Sequence, residues 1–334
     1  MVKVKISTQF PDWPLLRQTS QSKGIVGDCI FFVDDKRDID YDYWIVYDDI
    51  LTTEEAICNG KNLILITPEP PSVKQYSNYF LSQFNTIITC HKNINHRNII
   101  LDQQALPWHI GRDQSNHKNN NFTLDYDSLS NININNSNRK LLSVIISNKS
   151  FTSGHRKRIK FVKYLMDQDD ISIDVFGRGF NEVADKWDVI YNYKYHLVLE
   201  NTIINDYWTE KLSDCLLGGA YPIFSGAPNI SKYFDKNSIT KIDLNNFYES
   251  KKNILKVINN NKFEDSFLLR MENKKKILDD FNLFPFISNL INLNKQDSIN
   301  INNKRQIQII PNNDCRSIVE RIKLKINKSL NKYL

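Results

Sequence analysis

Residues 195–229 read YHLVLENTIINDYWTEKLSDCLLGGAYPIFSGAPN and are the most informative segment of the chain. An apolar run ends in Glu200, and a second apolar run covers residues 220–224. Between them, a helical segment opens at Thr209 and ends at a glycine pair. The pattern predicts a strand, a helix and a parallel strand. Its polar residues would gather at the carboxyl ends of the strands, where open α/β sheets bind ligands.

The start of this predicted helix is suited to bind a nucleotide diphosphate. The first turn of a helix presents free backbone N–H groups and the positive end of the helix dipole, so it attracts phosphate. Lys211 adds a full positive charge there, and Glu210 can accept hydrogen bonds from a ribose diol. The alternative is a solvated Glu–Lys pair on an amphipathic helix.

A second block with the same alternation lies upstream. Residues 141–147 (LLSVIIS) and 171–176 predict buried strands, and residues 155–165 (HRKRIKFVKYL) predict a basic helix between them. A guanidinium group binds phosphate through two N–H groups and keeps its charge. Arg158 and Arg156 are the two candidates for such a contact, and the lysines of this helix are interpreted as a solvated face.

A third block places a carboxylate on a stiff loop. Residues 61–71 read KNLILITPEPP, in which residues 63–66 predict a short strand and Glu69 follows it between two prolines. Proline narrows the backbone choices of its neighbours. A carboxylate held in this way can act as a general base, and the alternative is a surface glutamate in a proline turn.

These three blocks together resemble the family 10 glycosyltransferases, the α1,3/α1,4-fucosyltransferase family. The likeness rests on Glu200-Asn201-Thr202, Tyr207, Thr209-Glu210-Lys211, Tyr221-Pro222-Ile223 and Gly226-Ala227-Pro228-Asn229. The resemblance implies that Glu69 takes the proton from the acceptor hydroxyl. It also implies a group of donor-binding residues: Arg158, Asn201, Tyr207, Glu210 and Lys211. Residue 68 departs from the family pattern, with proline in place of glycine or serine.

The same resemblance implies an α/β fold of GT-B type, with two Rossmann-like domains facing a central cleft. The implied enzyme is an inverting glycosyltransferase that moves fucose from GDP-fucose to a glycan hydroxyl by single displacement. No metal and no cofactor other than the nucleotide-sugar donor is expected, because fixed cations can stabilise the leaving diphosphate. Two alternatives are another nucleotide-sugar donor and a non-catalytic protein that binds a glycan or a nucleotide.

Two further features bear on the acceptor and on metals. Residues 104–111 (QALPWHIG) resemble the acceptor-side region of the bacterial members, where Trp108 and His109 would line the acceptor cleft. The alternative is a packed tryptophan beside a hydrogen-bonded histidine. The Cys and His residues between positions 90 and 96 match no standard zinc spacing, so no metal site is predicted.

The chain is predicted to divide into four segments. Residues 1–112 form an acceptor-side α/β domain, residues 113–139 an asparagine-rich linker or exposed loop, and residues 140–285 the donor-binding α/β domain. Residues 286–334 form C-terminal helices with a basic amphipathic tail. That tail either lies on an anionic membrane surface, which would suit a lipid-linked acceptor, or packs back on the first domain.

Composition sets the remaining expectations. The 334 residues are 41% hydrophobic and carry a net charge of +6, with no apolar run long enough to span a membrane and no secretory apolar segment at the start. Five scattered cysteines indicate a reducing, cytoplasmic setting, with peripheral contact to a membrane face as an option. The lysines are dispersed and no recognition motif is present, so no nucleic-acid partner is expected.

Overall fold

The computed structural model describes residues 1–113, 121–135, 138–294 and 303–316. The chain forms two compact units. Unit 1 contains Met1–Ala105 together with the described residues from Leu283 onward, and unit 2 contains Leu106–Asn282. Unit 2 is therefore one continuous stretch inserted between the two parts of unit 1.

The first part of unit 1 is built around a mainly parallel sheet. Its elements are β1 Val2–Thr8, β2 Ile25–Val26, β3 Cys29–Val33, β4 Tyr43–Tyr47, β5 Glu54–Asn59, β6 Leu63–Ile66, α1 Asn78–Ser82, β7 Thr86–Thr89 and β8 Ile99–Leu101, with short 3-10 turns at Leu15–Gln18, Ser20–Ser22 and Gly60–Asn62. Seven strands pair in the order β2-β3-β1-β4-β6-β7-β8. Only the short β2 runs antiparallel to its neighbour.

Unit 2 is built around a second sheet, with five strands that are all parallel, in the order β10-β9-β11-β12-β13. The elements are α2 Tyr126–Asn131, β9 Lys140–Ile145, α3 Ser153–Met166, β10 Asp174–Phe176, α4 Trp187–Ile190, β11 Tyr193–Leu199, α5 Glu210–Leu217, β12 Tyr221–Ser225, β13 Thr240–Lys241, α6 Phe247–Asn259, α7 Lys262–Asp265 and α8 Phe267–Lys276, with a 3-10 turn at Ile230–Lys232 and a π-helical turn at Ile277–Phe281.

The chain then returns to unit 1. Helix α9 Leu283–Asn294 places Leu283, Phe284 and Ile287 in the core that also contains the buried faces of β1 and β4. Strand β14 Lys304–Ile309 pairs antiparallel with β5. Residues 286–334 are thus not helical throughout, since their described part includes a strand. The basic tail from residue 317 lies outside the described residues, and its contact with membrane or protein stays a prediction.

The predicted fold class is confirmed in that each unit is an α/β fold whose main sheet is largely parallel. The strand predicted at 63–66 has those bounds in the structure. Strand β1 was not predicted, because its alternating valines and lysines do not form an apolar run. Lys5 of this strand is nevertheless only 3% exposed. Its burial is tolerated because its ammonium group donates to the Asp35 carbonyl oxygen and lies 3.5 Å from Glu54. The predicted cleft between the two domains stays a prediction.

The unit boundaries differ from the predicted domains at residues 106–139. Residues 106–112 belong to unit 2, not to the first domain. The described part of 113–139 contains α2, and Leu129 and Ile134 are fully buried there, so these residues fold onto unit 2 and do not form an exposed linker. Because many asparagines surround these two apolar residues, the sequence shows no apolar pattern that would predict their burial. Within the described ranges, no helix has the length and apolar character that a membrane crossing needs.

Candidate functional site

A cavity of about 600 Å³ opens in unit 2 at the carboxyl ends of β9, β10 and β11. Its walls include residues from the first turns of α3 and α5 and from the loop that follows β10. This size is within the range of small-molecule sites in proteins. The place matches the prediction that ligands bind at the carboxyl ends of parallel strands.

The start of α5 is organised by a buried carboxylate. Glu200, at the end of β11, accepts hydrogen bonds from the Thr209 N–H at 2.9 Å and from the Thr209 hydroxyl at 2.7 Å. Thr209 in turn caps α5, because its Oγ1 accepts from the Lys211 N–H at 3.3 Å. The Lys211 ammonium group lies 3.3 Å from Glu200 Oε2. Glu200 thus fixes both the helix start and the lysine that points to the cavity.

A chain of ion pairs continues from Lys211 into the cavity wall. Glu210 Oε1 lies 3.2 Å from Lys211 Nζ and 3.8 Å from Lys186 Nζ, and Lys186 Nζ donates to Asp214 at 2.9 Å. Burial alone would lower the pKa of Lys211, but Glu200 and Glu210 outweigh it and raise that pKa to about 12. Burial opposes ionisation of Glu210, yet the two lysines keep its pKa well below the ordinary value. Both groups are therefore charged at neutral pH.

Of the two candidate arginines of α3, Arg158 is the one that faces the cavity. It is 5% exposed, and its Nη1 donates to the Leu199 carbonyl oxygen at 3.0 Å. Its Nε has no hydrogen-bond partner among the described residues. Arg156 instead donates to the Ser150 carbonyl oxygen at 3.1 Å and lines a separate shallow groove. The geometry therefore favours Arg158 over Arg156.

Asn201 also lines the cavity, and its Oδ1 is buried with no hydrogen-bond partner in the described residues. A buried acceptor of this kind is suited to a ligand hydroxyl or N–H group. The backbone of Asn201 lies against Gly154 in the first turn of α3, so closely that a Cβ at position 154 would overlap the Asn201 carbonyl oxygen. The loop after β11 and the start of α3 thus form one wall.

Tyr207 and Trp108 are both buried. The donor-binding role of Tyr207 stays a prediction, and Trp108 has the packed position that was the alternative to an acceptor contact. Tyr207 is 2% exposed and does not line the cavity, although it is near enough to affect the pKa of Arg158. Its neighbour Asp206, whose φ is +63°, is held by Asn229 and by the Tyr233 hydroxyl at 2.6 Å. Trp108 is 1% exposed and belongs to the hydrophobic core of unit 2, so it does not line an acceptor cleft.

His109 lies in the wall of the same unit 2 cavity. Its backbone N–H donates to Asp214 at 2.7 Å, and its Nδ1 lies 3.5 Å from Lys186 Nζ. Because an ammonium group can only donate, this contact requires a lone pair on Nδ1. Burial, assisted by Lys186, lowers the pKa of His109 to about 4, so the ring is neutral at pH 7. The residue expected on the acceptor side is thus part of the cavity beside α5.

Glu69 is in unit 1, on the loop that follows β6. It is half-buried, and its carbonyl oxygen contacts Nε2 of His91, on the loop after β7, at 2.6 Å. Since a carbonyl oxygen only accepts, His91 carries its proton on Nε2. Glu69 therefore lies at the carboxyl edge of the unit 1 sheet on a loop that a buried histidine holds. In the described part of the chain, no cluster of three or more His, Cys, Asp or Glu side chains could hold a metal ion.

Several residues of this region were not predicted as parts of a site. Four of them line the cavity, namely Lys149, His155, Arg178 and Lys186. A fifth, Glu200, is 2% exposed and supports the wall through Thr209 and Lys211. The sequence does contain one signal for Arg178, because glycines flank it directly after a predicted strand. Lys186 has no such signal, since only the fold brings α4 beside α5.

Comparison with known proteins finds similarity in the part of the chain that contains most of the cavity residues. Residues 135–274 match the family model described as glycosyltransferase family 10 (fucosyltransferase) C-term. A human relative, 4-galactosyl-N-acetylglucosaminide 3-alpha-L-fucosyltransferase 9, is 30% identical over 137 residues, which are 39% of this chain and 37% of that protein. A fucosyltransferase-like protein of Arabidopsis thaliana is 33% identical over 98 residues, 28% of this chain and 18% of that protein.

Solved structures similar to this chain include an alpha1,3-fucosyltransferase with GDP, at 18% identity and a TM-score of 0.46, over 85% of this chain and 92% of that one. A glycosyltransferase from Rickettsia africae ESF-5 has 9% identity and a TM-score of 0.47, over 90% of this chain and 99% of that one.

The chain covers less than two fifths of the length of the curated relatives named above. The matched residues nevertheless include the whole α5 motif, Arg158 and the walls of the cavity except His109. Residues 135–274 are thus similar to the C-terminal part of glycosyltransferase family 10, the fucosyltransferase family.

Proposed function

We propose that this protein is an inverting glycosyltransferase that moves fucose from GDP-fucose to a hydroxyl group of a glycan acceptor. The observation that carries the proposal is the unit 2 cavity, where Lys211 and Arg158 flank the starts of two helices at the carboxyl edge of a parallel sheet. Helix starts and fixed cations are the usual means of holding a diphosphate. The match of residues 135–274 to a fucosyltransferase family model supports fucose as the transferred sugar.

The residues of the cavity have separate roles in this proposal. Lys211 and Arg158 hold the leaving diphosphate, because their N–H groups stabilise the negative charge that develops as the glycosidic bond breaks. Glu210 is kept ionised by its two lysine neighbours, so it can accept hydrogen bonds from the ribose diol. Asn201 offers its buried Oδ1 to a donor hydroxyl or N–H group.

The general base in the proposal is Glu69 of unit 1. It would remove the proton of the acceptor hydroxyl while the oxygen attacks the anomeric carbon from the face opposite the diphosphate. The support is its place on a loop at the carboxyl edge of the unit 1 sheet, held at its carbonyl by His91. A base must be ionised and within hydrogen-bond reach of the hydroxyl that it activates.

The test is incubation with a panel of nucleotide sugars and glycan acceptors, free and lipid-linked, with the released nucleotide and the product both measured. Transfer from GDP-fucose with inversion at the anomeric carbon, read by NMR of the product, is the expected result. Transfer from a different donor would remove fucose from the proposal and keep the reaction. Nucleotide binding with neither transfer nor hydrolysis of any donor would favour a non-catalytic binding protein.

A further inference from the structure

The cationic residues around the unit 2 cavity fall into two groups that differ in charge balance. The inner group consists of Arg158, Lys186 and Lys211, which interact with three carboxylates: Glu200, Glu210 and Asp214. Cations and carboxylates are equal in number here. The inner network therefore supplies directed N–H groups to a ligand but little net positive charge.

A doubly charged diphosphate that enters a neutral, partly buried network would add uncompensated negative charge. Such charge is costly unless opposite charge lies close by. The three histidines of the cavity do not supply it at neutral pH. Burial is the main cause that lowers the pKa of His109 and His155 to about 4 and that of His196 to about 3. The compensating charge must come from elsewhere in the wall.

Two further cations line the cavity, Lys149 on the loop after β9 and Arg178 on the loop after β10. Both are exposed, and the described residues give neither side chain an ion-pair partner. One carboxylate of the rim, Glu182, is also exposed. The rim as a whole is therefore positive, and its two cations are not held by carboxylates as Lys186 and Lys211 are.

A hydrogen bond and two close glycine contacts fix the backbone that carries Lys149 and Arg178. The Asn148 N–H donates to the Arg178 carbonyl oxygen at 3.0 Å and joins the two loops. Gly177 and Gly179 have φ values of +108° and +84°, which favour glycine. A Cβ at Gly177 would overlap the Ile146 carbonyl oxygen, and one at Gly179 would overlap the Asn148 side chain. The fold thus places Arg178 between two residues that only glycine suits.

We infer that Lys149 and Arg178 form a second phosphate-binding pair, which neutralises the diphosphate of a nucleoside diphosphate or nucleotide sugar in this cavity. The inference rests on the proposed function for the ligand class. It assigns different tasks to the two groups of cations. The rim pair supplies net charge and long-range attraction, while Lys211 and Arg158 supply hydrogen bonds at the leaving group.

The test is a double variant, Lys149→Gln with Arg178→Gln, whose affinities for GDP and for uncharged guanosine are measured at low and high salt. GDP binding should weaken about tenfold at low salt, the sum of two modest charge contacts. At about 1 M salt, where screening acts over about 3 Å, most of the difference should disappear. Guanosine binding should be unchanged, because guanosine carries no phosphate.

Two control variants isolate the effect of position. Lys157→Gln with Lys160→Gln removes the same charge from unit 2, but both residues line the separate shallow groove, so GDP affinity should hold. Exchanging the two cations, Lys149→Arg with Arg178→Lys, keeps the charge and should keep the affinity.

Each other outcome contradicts the inference. Equal loss of GDP and guanosine affinity would mean that Lys149 and Arg178 contact the guanine ring and not the diphosphate. Equal loss of GDP affinity in the two glutamine double variants would show only a general effect of charge. If the rim variant binds GDP as the wild type does, the inference fails and the proposed function stands. If the wild type binds no nucleoside diphosphate, both proposals fail.

Discussion

Gly154 and Asn201 lie in direct backbone contact, with no room for a Cβ between the first turn of α3 and the loop that follows β11. This contact joins the helix that carries Arg158 to the loop that carries the buried Asn201 amide. These two parts of the cavity wall can keep this spacing only if residue 154 is glycine.

The first prediction is that Gly154→Ala damages the cavity although alanine is the better helix former. The added methyl group must push the Asn201 loop away, and overpacking of this kind costs about 1–3 kcal/mol. GDP affinity, measured by calorimetry, should fall at least about tenfold, since 1.4 kcal/mol corresponds to that factor. Ser153→Ala, on the exposed side of the same helical turn, is the control and should bind GDP normally. Normal binding by both variants would mean that the loop position does not matter.

The second prediction separates the two arginines of α3. Arg158→Ala should lose about 2.7–4 kcal/mol of transition-state stabilisation, the scale for removing one preorganised donor to a developing charge. Lys211→Ala should lose at least as much, because it also leaves Glu200 and Glu210 facing each other without their shared cation. Arg156→Ala, on the groove side, should be close to wild type. The measurement is kcat/KM for donor consumption, and a damaging Arg156→Ala with a silent Arg158→Ala would reverse the assignment.

The third prediction concerns the base. Glu69→Gln keeps the side-chain shape and removes its basicity, so the transfer rate should fall by about two to four powers of ten, the usual span for acid–base catalysis. GDP affinity should be unchanged, because Glu69 belongs to unit 1 and the donor cavity to unit 2.

A companion variant, His91→Gln, tests whether the histidine acts by holding the Glu69 loop. It should slow transfer less than Glu69→Gln does. Unchanged transfer in Glu69→Gln would mean that another group is the base, and His109 would be the next residue to replace.

The fourth prediction concerns acid stability. His196 of β11 is 4% exposed beside the Ser143 hydroxyl, and burial lowers its pKa from 6.5 to about 3. The folded protein therefore resists protonation that the unfolded chain accepts. Stability from this residue is complete above about pH 6.5 and is lost as the pH falls toward 3, by about 2 kcal/mol at pH 5. Hydrogen exchange of β11 peptides across this pH range measures the loss.

In His196→Asn the loss between pH 6.5 and 5 should be reduced by about that amount, because asparagine does not titrate. An unchanged pH dependence in this variant would mean that other groups cause it. NMR of the His196 ring in the wild type gives an independent check, since the ring should remain neutral at pH 5.

Much of unit 2 could be predicted from the sequence, because its strands are apolar runs and its helix starts have capping residues such as Thr209. Arg158, Glu210 and Lys211 could be placed at one site because parallel strands bring their carboxyl ends together. Lys186 and the burial of Tyr207 could not be predicted, since each depends on contacts between distant segments. The burial of Trp108 agrees with the packed alternative that the sequence left open. Strand β14 shows the same difficulty, because its partner β5 lies more than 240 positions earlier in the chain.

The return of the chain to unit 1 affects the order in which the two units can fold during synthesis. Leu283, Phe284, Ile287 and Ile291 are core residues of unit 1, yet the ribosome makes them after all of unit 2. Unit 2 can complete its own core from one uninterrupted segment. Until these residues are made, unit 1 cannot complete its core, and part of its apolar surface stays uncovered. Uncovered apolar surface on a nascent chain is prone to aggregation and is bound by chaperones. We therefore expect unit 2, although second in the sequence, to become protease-resistant first on the ribosome.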